Sequence, residues 1–524
     1  FFNFTHYNFL DSRAGGLGGA YTAISDTIVG SYYNPAGLIY MNAKRATESS
    51  NLFRESFLEY NADTLPDADV KLTSNAASFV GFTETFGDYK VAFSIISPKT
   101  ETYDKNSNGA YVYNGVDLDL VQSIKGYNNH YLVGPSVSGL LLDNLSFGMS
   151  LFYSYEERSF IFNTLLFLIC GFLVFFMAAG FAMLESGMVT SKSVSVICAK
   201  NIGLLSISGI MFWMFGYNLA YGIPEGGYIG KFIPWSDSSA VDTGYSDGSD
   251  WYFQMVFCAT TVSIVSGTMA ERIKLWPFFL FAAILSGIIY PIVMGWQWGG
   301  GWLASAGFSD FAGSTLVHST GGAAALAGAM LLGPRLGRFT KSGAPAPMKP
   351  FAASSIPLIT LGVFVLWLGW FGFNGGSQLA MGTADDAIAV STIFMNTFLA
   401  GAGGVMAAAT VTRLGFGKTD VIQMLNGCIG GLVAITAEPL MPSPFAAILI
   451  GAVGGVIVVY GTKLLFALKI DDVVGAIPAH LFAGIWGTLA VPLTNPDTNF
   501  GAQFLGVISI NVFVFIVALA VWGI

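Results

Sequence analysis

Charged residues are scarce in this sequence: they make up only 10% of its 524 residues, whereas 53% are hydrophobic. Soluble globular domains carry about 25% charged residues, so the composition argues against an ordinary soluble domain. The high apolar content also excludes a disordered chain. The net charge of −9 argues against a nucleic-acid-binding protein, which needs a basic face.

Cysteine and histidine are also rare, with four residues of each. The cysteines are widely spaced in apolar segments and form no CxxC pair, so the sequence predicts neither a disulfide framework nor a zinc site. The apolar part of the chain contains no H-E-x-x-H, G-x-S-x-G or P-loop pattern. We therefore expect no enzymatic activity, no metal and no cofactor.

The composition changes near residue 158. Residues 1–158 contain 27 charged residues, about 17%, whereas residues 159–524 contain 28, below 8%. A step of this size predicts a boundary between two domains, 1–158 and 159–524.

The first domain is predicted to be rich in β-strands. Residues 78–82, 89–96, 131–142 and 145–155 are rich in aromatic and β-branched residues and are separated by polar turns. The alternation in 145–153 is typical of a membrane-barrel strand, which has one face toward lipid and one toward the lumen. A soluble β-sandwich remains the alternative.

The second domain is predicted to be an all-α, polytopic membrane protein. It has eleven apolar stretches, each about long enough to cross a ~30 Å hydrocarbon core. They lie near residues 160–186, 194–222, 251–269, 275–297, 314–333, 352–373, 387–410, 421–437, 444–467, 473–493 and 502–524.

Basic residues predict the orientation of these spans. The loops after the odd-numbered stretches contain or adjoin twelve Lys and Arg residues, whereas the other loops contain only Lys231. Because cytoplasmic loops carry the excess of Lys and Arg, the odd loops are expected in the cytoplasm and the first helix is expected to start outside.

His318 and His480 lie inside the fifth and tenth stretches. An ionisable residue inside a span is costly and suggests a function, although a single histidine could equally be a packing residue. If stretches 1–5 and 6–10 form a 5+5 inverted repeat, the two positions are equivalent. Two facing imidazoles could line a narrow path and relay a proton.

Aromatic residues lie where a cation would approach from outside. Trp298 follows the fourth stretch, Phe253 and Phe257 open the third, and Phe373 and Ser377 close the sixth. Aromatic faces attract ammonium-type cations, although an interfacial aromatic belt is the alternative. Asp310, eight residues before His318, could compensate a cation through space or cap the fifth helix; the second role is favoured.

Residues 159–524 resemble the ammonium transporter (Amt/Mep/Rh) family over essentially their whole length. The matching motifs are ATTVSIVSGTMAER (259–272), WGGG (298–301), DFAGSTLVH (310–318), WFGFNGGS (370–377) and the pair Asp471 and Asp472 ahead of His480. The resemblance implies eleven spans, an outer N-terminus, a homotrimer in the cytoplasmic membrane and one pore per protomer.

The resemblance also implies residue roles. Trp298, Phe257 and Ser377 match the outer ammonium recruitment site, with Phe253 nearby. Phe257 and Phe373 match the phenyl gate, Asp310 matches the buried acidic residue, and His318 and His480 match the twin histidines of the pore. The sequence Pro478-Ala479-His480-Leu481 departs from the family, in which Gly often follows this histidine. The chain stops inside the eleventh stretch, so the cytoplasmic tail is expected to be absent.

Residues 1–158 resemble a different family. The segments SRAGGLGGAYTA (12–23) and YYNPAGL (32–38) are similar to the start of outer-membrane long-chain fatty-acid channels. A helical bundle and a β-barrel satisfy their backbones in incompatible ways and occupy different bacterial membranes. We therefore expect a fusion or chimera in which this incomplete barrel-like segment is not a working part; a tethered periplasmic β-domain is the alternative.

The expected function is ammonium uptake, with ammonium or ammonia and membrane lipid as the partners and no nucleic acid. NH4+ would be recruited outside and deprotonated, and NH3 would pass the twin histidines, with or without the proton. An ammonium sensor on the same scaffold is one alternative. A hydrophobic-ligand channel of the outer membrane is another, and it depends on residues 1–158 only.

Overall fold

The computed structural model describes residues 46–50, 54–62, 65–75, 78–86, 88–113, 116–142, 145–150, 153–237, 244–339 and 351–524, with side chains mainly from Ser159 onward. The chain divides into two compact units, Phe1–Arg158 and Ser159–Ile524. The two N-terminal segments that resemble a fatty-acid channel lie outside the described residues.

The first unit contains one antiparallel sheet. Its described strands are β1 (Ala46–Ser50), β2 (Arg54–Ala62), β3 (Leu65–Asn75), β4 (Ser78–Phe86), β5 (Tyr89–Tyr113), β6 (Val116–Leu142), β7 (Leu145–Ser150) and β8 (Tyr153–Ser154). The order β1-β4-β5-β3-β2 is extended by β6, which pairs with β5, β7 and β8. Among the described strands, no pairing joins the ends of this sheet into a ring.

The four predicted strands are present, with differences in length. β5 and β6 form a hairpin much longer than expected, and β1 to β3 were not predicted, because their polar sequences lack a clear apolar alternation. Tyr155, expected to end a strand, instead begins the first helix.

The second unit contains a helix at each of the eleven predicted stretches. They are α1 (Tyr155–Met188), α2 (Ser191–Tyr221), α3 (Asp247–Thr268), α4 (Leu275–Ser305), α5 (Ser314–Leu332), α6 (Ile356–Gly376), α7 (Ala384–Phe416), α8 (Val421–Ile435), α9 (Pro444–Ala467), α10 (Ile477–Leu493) and α11 (Phe500–Trp522).

Eight of these described helices are long and apolar enough to cross a membrane; α8 and α10 are shorter, and α3 is more polar. Large apolar side chains on their outer surfaces are exposed, including Phe172 (60%) and Phe364 (61%). Because outward apolar surface suits lipid, this unit is a multi-pass membrane domain.

Several helices begin at N-terminal capping residues. Thr383 and Asp386 form a reciprocal capping box at α7, and Asp420 accepts hydrogen bonds from two N–H groups of α8. Ser443, followed by Pro444 at the first helical position, caps α9.

Candidate functional site

A cavity of about 520 Å³ lies at the predicted outer ends of α2, α3, α4 and α6. Four of the predicted site residues line it: Phe253, Phe257, Trp298 and Ser377. Trp298 Nε1 donates a hydrogen bond to the Asp310 carbonyl at 2.9 Å, which fixes the indole ring. The other lining residues are Tyr217, Tyr221, Tyr245, Asp250, Gln254, Gln297, Phe311 and Leu379.

The polar part of this wall was not predicted from the sequence. The Asp250 carboxylate accepts hydrogen bonds from the Tyr217 hydroxyl at 2.5 Å and from Gln254 Nε2 at 3.2 Å. Gln297 Oε1 is buried without a hydrogen-bond partner among the described residues. Asp250 lies one turn before Phe253 in a span, so its position in the sequence could have indicated it.

Two stacked phenyl rings lie next to the cavity. The centroids of Phe257 and Phe373 are 3.9 Å apart, with the ring planes inclined by 22°. Both side chains are buried, and Trp298 stands edge-on to Phe257 at 6.0 Å. Rings in van der Waals contact leave no open channel between them.

The twin histidines lie next to these rings. His318 Nδ1 is 3.2 Å from His480 Nδ1, and the His318 ring is 5.2 Å from the Phe373 ring. Both imidazoles are buried, and His318 Nε2 has no partner within the described part of the chain. Because a hydrogen bond needs one donor and one acceptor, one Nδ1 carries the shared proton and the other accepts it.

Trp370 orients the first imidazole. Its ring is stacked on His318 at 4.9 Å, and its Nε1 donates a hydrogen bond to Thr436 Oγ1 at 2.8 Å. All three residues are fully buried. The indole therefore restricts His318 to the orientation in which its Nδ1 meets His480.

Two further cavities follow on the other side of His480. A small one, of about 20 Å³, is lined by His480, Phe181 and Glu185 among others. A wider one, of about 560 Å³, shares three lining residues with it: Asn426, Val474 and Gly475. The outer cavity, phenyl pair, histidine pair, small cavity and inner cavity therefore follow one another through the helical unit.

The first histidine is positioned by an aspartate. Asp310 is fully buried and does not line the outer cavity. Its Oδ1 accepts hydrogen bonds from the N–H groups of Gly313 and Ser314 at 3.0 and 2.8 Å. Its Oδ2 accepts from Thr315 and Leu316, both at 2.8 Å. These are the N–H groups that a helix start leaves unpaired, so Asp310 holds the start of α5.

The second histidine is positioned in the same way. Asp472 stands eight residues before His480, as Asp310 does before His318, and accepts from the N–H groups of Gly475 and Ile477 at 3.2 and 2.7 Å. Each histidine lies in a π-helical turn, Ser314–Ser319 or Ile477–Phe482. Gly313 and Gly475, each three residues after its aspartate, have φ of 104° and 79°, where glycine is favoured.

Glycines bring the two histidine-bearing helices together. A Cβ at Gly322 would lie 2.7 Å from the Leu481 backbone nitrogen, and a Cβ at Gly484 would lie 2.4 Å from the Ser314 carbonyl oxygen. Each glycine stands four residues after a histidine. Small residues permit close helix crossings in membranes, and this crossing sets the short distance between the imidazoles.

A charged network lies at the predicted cytoplasmic end of the unit. Arg335 donates to Asp471 Oδ2 through Nε at 2.7 Å and to Glu271 Oε2 through Nη1 at 2.6 Å. Burial opposes ionisation of Asp471 and Glu271, but their hydrogen bonds, including those from Arg335, and the Arg335 charge outweigh it and lower both pKa values. Arg335 also lines the inner cavity, so this network forms part of its wall.

Comparison with known proteins gives a consistent result. The model of the Ammonium Transporter Family matches residues 165–523. The chain is 40% identical over 386 residues to a Synechocystis sp. protein classed as a candidate ammonium transporter, covering 71% of this chain and 86% of that protein. It is 42% identical over 334 residues to ammonium transporter Amt2 of Archaeoglobus fulgidus, covering 62% and 69%.

The fold agrees with a solved structure as well. A protein titled "Sensor Amt Protein" is 33% identical, with a TM-score of 0.65, and the similarity covers 69% of this chain and 92% of that one. The resemblance predicted for the second domain is thus confirmed at the level of family and fold. The family model begins at residue 165, so the resemblance of residues 1–158 to a fatty-acid channel stays a prediction.

Proposed function

The chain belongs to the ammonium transporter family, and from this membership we propose that it moves ammonium across the cytoplasmic membrane. The observation that carries the proposal is the order of three features through the helical unit: an aromatic outer cavity, then two stacked phenyl rings, then two hydrogen-bonded imidazoles. The outer cavity suits a cation, whereas the phenyl rings and the imidazoles suit a small neutral molecule.

NH4+ is recruited in the outer cavity. The faces of Trp298 and Phe257 attract an ammonium-type cation by about 0.5–2 kcal/mol. The Asp250 carboxylate, the Gln297 Oε1 and the Ser377 hydroxyl add negative charge or hydrogen-bond acceptors to the same wall.

The cation gives up a proton where the path becomes dry. Desolvation disfavours the charged form of an amine, so NH4+ leaving the outer cavity transfers its proton to water in that cavity as Phe257 and Phe373 open. NH3 then passes His318 and His480, which together offer one donor and one acceptor to it. Asp310 acts from behind, as a positioning residue that holds both the start of α5 and the backbone acceptor of Trp298.

Uptake of methylammonium by proteoliposomes containing the full chain tests the proposal. We expect uptake that ammonium inhibits and no passage of K+, which has no proton to give up. A well-folded protein that transports no methylammonium, or that passes K+ equally, contradicts the proposed function.

The proposal includes the architecture. The matched Asp-x-x-Gly-x-x-x-x-His segments that start at Asp310 and Asp472 support a 5+5 inverted repeat. The charge asymmetry of the loops supports an outer N-terminus. A homotrimer rests on the family resemblance alone. Residues 1–158 form a separate domain that takes no part in transport.

An ammonium sensor on the same scaffold is the second candidate. The similarity to the protein titled "Sensor Amt Protein" favours it. Binding of ammonium, seen as a change in tryptophan fluorescence, without flux in proteoliposomes would identify a sensor. Binding accompanied by flux identifies a transporter.

A further inference from the structure

One acidic side chain faces the path on the inner side of the histidine pair. Glu185, near the end of α1, lines the small cavity together with His480. It is only 1% exposed, and its Oε1 has no hydrogen-bond partner among the described residues. Because an unpaired polar atom in a buried site is costly, the free oxygen indicates that this cavity receives a donor.

The rest of the carboxylate is held in place. Ser266 Oγ donates a hydrogen bond to Glu185 Oε2 at 2.8 Å. Lys200 Nζ donates to the carbonyl oxygen of the same serine at 2.6 Å and is also 1% exposed. A buried carboxylate needs a compensating charge, and Lys200 supplies it without taking the free oxygen. Asn201 also interacts with the carboxylate, so Ser266, Asn201 and Lys200 together hold the Glu185 side chain in the wall of the small cavity.

The size of the cavity limits what that molecule can be. A volume of about 20 Å³ is available, and about 10–15 Å³ is enough for one water. One ammonia or one water therefore fills the space between His480 and Glu185. The small cavity, which His480 and Glu185 both line, adjoins the inner cavity, because the two share three lining residues.

We propose that Glu185 carries the proton of ammonium on the inner side of the histidine pair; this inference rests on the proposed function. NH4+ breaks one N–H bond at the outer side and yields NH3 and a proton, which the imidazole pair passes to Oε1. The carboxylate becomes a carboxylic acid. NH3 in the small cavity then takes this proton, which restores the carboxylate and NH4+, and NH4+ leaves through the inner cavity. Each cycle moves one positive charge.

The experiment measures ammonium-evoked current from proteoliposomes of the full chain on a solid-supported membrane, alongside methylammonium uptake. The variants are Glu185→Gln, the double variant Glu185→Gln/Lys200→Met and the control Glu438→Gln. Glu438 is also buried, but its carboxylate accepts from Asn495 and Met441 N–H and lines neither the outer nor the small cavity. Thermal unfolding in detergent checks that each variant is folded.

We expect Glu185→Gln and the double variant to lose the current to the level of empty liposomes, while Glu438→Gln keeps it. Wild-type current in Glu185→Gln overturns the inference. Recovery of the current in the double variant also overturns it, because the carboxylate would then only neutralise Lys200. If Glu185→Gln does not fold, the charge-balanced double variant decides alone. Absence of uptake and current from the wild-type protein contradicts the proposed function instead.

Discussion

The substitution Asp310→Asn tests whether this carboxylate holds the start of α5. An asparagine side chain of the same shape has one acceptor oxygen and one N–H2 group. The oxygen can retain the N–H groups of Gly313 and Ser314, but the amide nitrogen then faces the N–H groups of Thr315 and Leu316. Two of the four hydrogen bonds are lost, and donors oppose donors.

The magnitude follows from the number of bonds lost. A hydrogen bond to a charged group contributes about 1.5–3 kcal/mol, so two lost bonds cost about 3–6 kcal/mol. That is a large fraction of the ~5–15 kcal/mol by which most proteins are stable. The damage is local, because the freed N–H groups start the π-helical turn that carries His318. We therefore expect loss of transport together with loss of stability.

The assay is the apparent melting temperature in detergent, with methylammonium uptake measured on the same preparations. Asp386→Asn, in the partly exposed capping box of α7, is the matched control and should cost only about 1 kcal/mol. If Asp310→Asn melts at the wild-type temperature, the four hydrogen bonds do not hold α5 as we argue. If it melts early but transports normally, the link from Asp310 to His318 is wrong.

Three further predictions follow. Replacing His318 or His480 by alanine should abolish methylammonium uptake or its selectivity over K+, since the partner imidazole loses its bond, and normal selective uptake by both variants would show that the pair only packs. Arg335→Ala should destabilise the protein by about 1.5–3 kcal/mol, the value of a hydrogen bond to a charged group, because Glu271 loses its ion pair and Asp471 keeps only the longer ion pairs to Arg272 and Arg338, both at 3.4 Å. The Asp471 pKa is lowered from 3.8, so this stabilisation is complete above that value and is lost as the pH falls below it; in melting curves, the gap between Arg335→Ala and wild type should therefore narrow in acid. Deleting residues 1–158 should leave uptake unchanged, and a lost uptake in a folded, membrane-inserted protein would show that the first domain takes part.

The sequence was sufficient to predict the helices. Length and hydropathy placed all eleven stretches, including α8 and α10, which are short and lie among buried segments. The polar sequences of β1 to β3 lack a clear apolar alternation, so these strands were not predicted individually. A continuous apolar run indicates by itself that the segment lies in lipid or in a protein core. A polar strand, in contrast, forms only with partner strands that are distant in the sequence.

Proximity between distant residues could be predicted only through the repeat and the resemblance. His318 and His480 are 162 residues apart, yet their Nδ1 atoms are 3.2 Å apart. The two histidines are brought together because the helix backbones cross closely at Gly322 and Gly484. Glycine is so common in these spans that the sequence pattern does not distinguish these two glycines from the others. The contact of Arg335 with Asp471 was equally invisible, since neither loop contains a matching pattern.

Glu185 and Lys200 lie within the first two helices, so the cost of a charged group inside a span marks them as functional candidates, as it marks the two histidines. The structure adds what distinguishes these acids from one another. Both carboxylate oxygens of Asp310 accept hydrogen bonds from backbone N–H groups, and Asp472 is held in a similar way. Their charges therefore stabilise the starts of α5 and α10. The Glu185 carboxylate is held by side chains instead, and this residue lines the small cavity beside His480. In a helical bundle with so few charged residues, the hydrogen bonds of each acid therefore distinguish the structural role of Asp310 and Asp472 from the proton-carrying role proposed for Glu185.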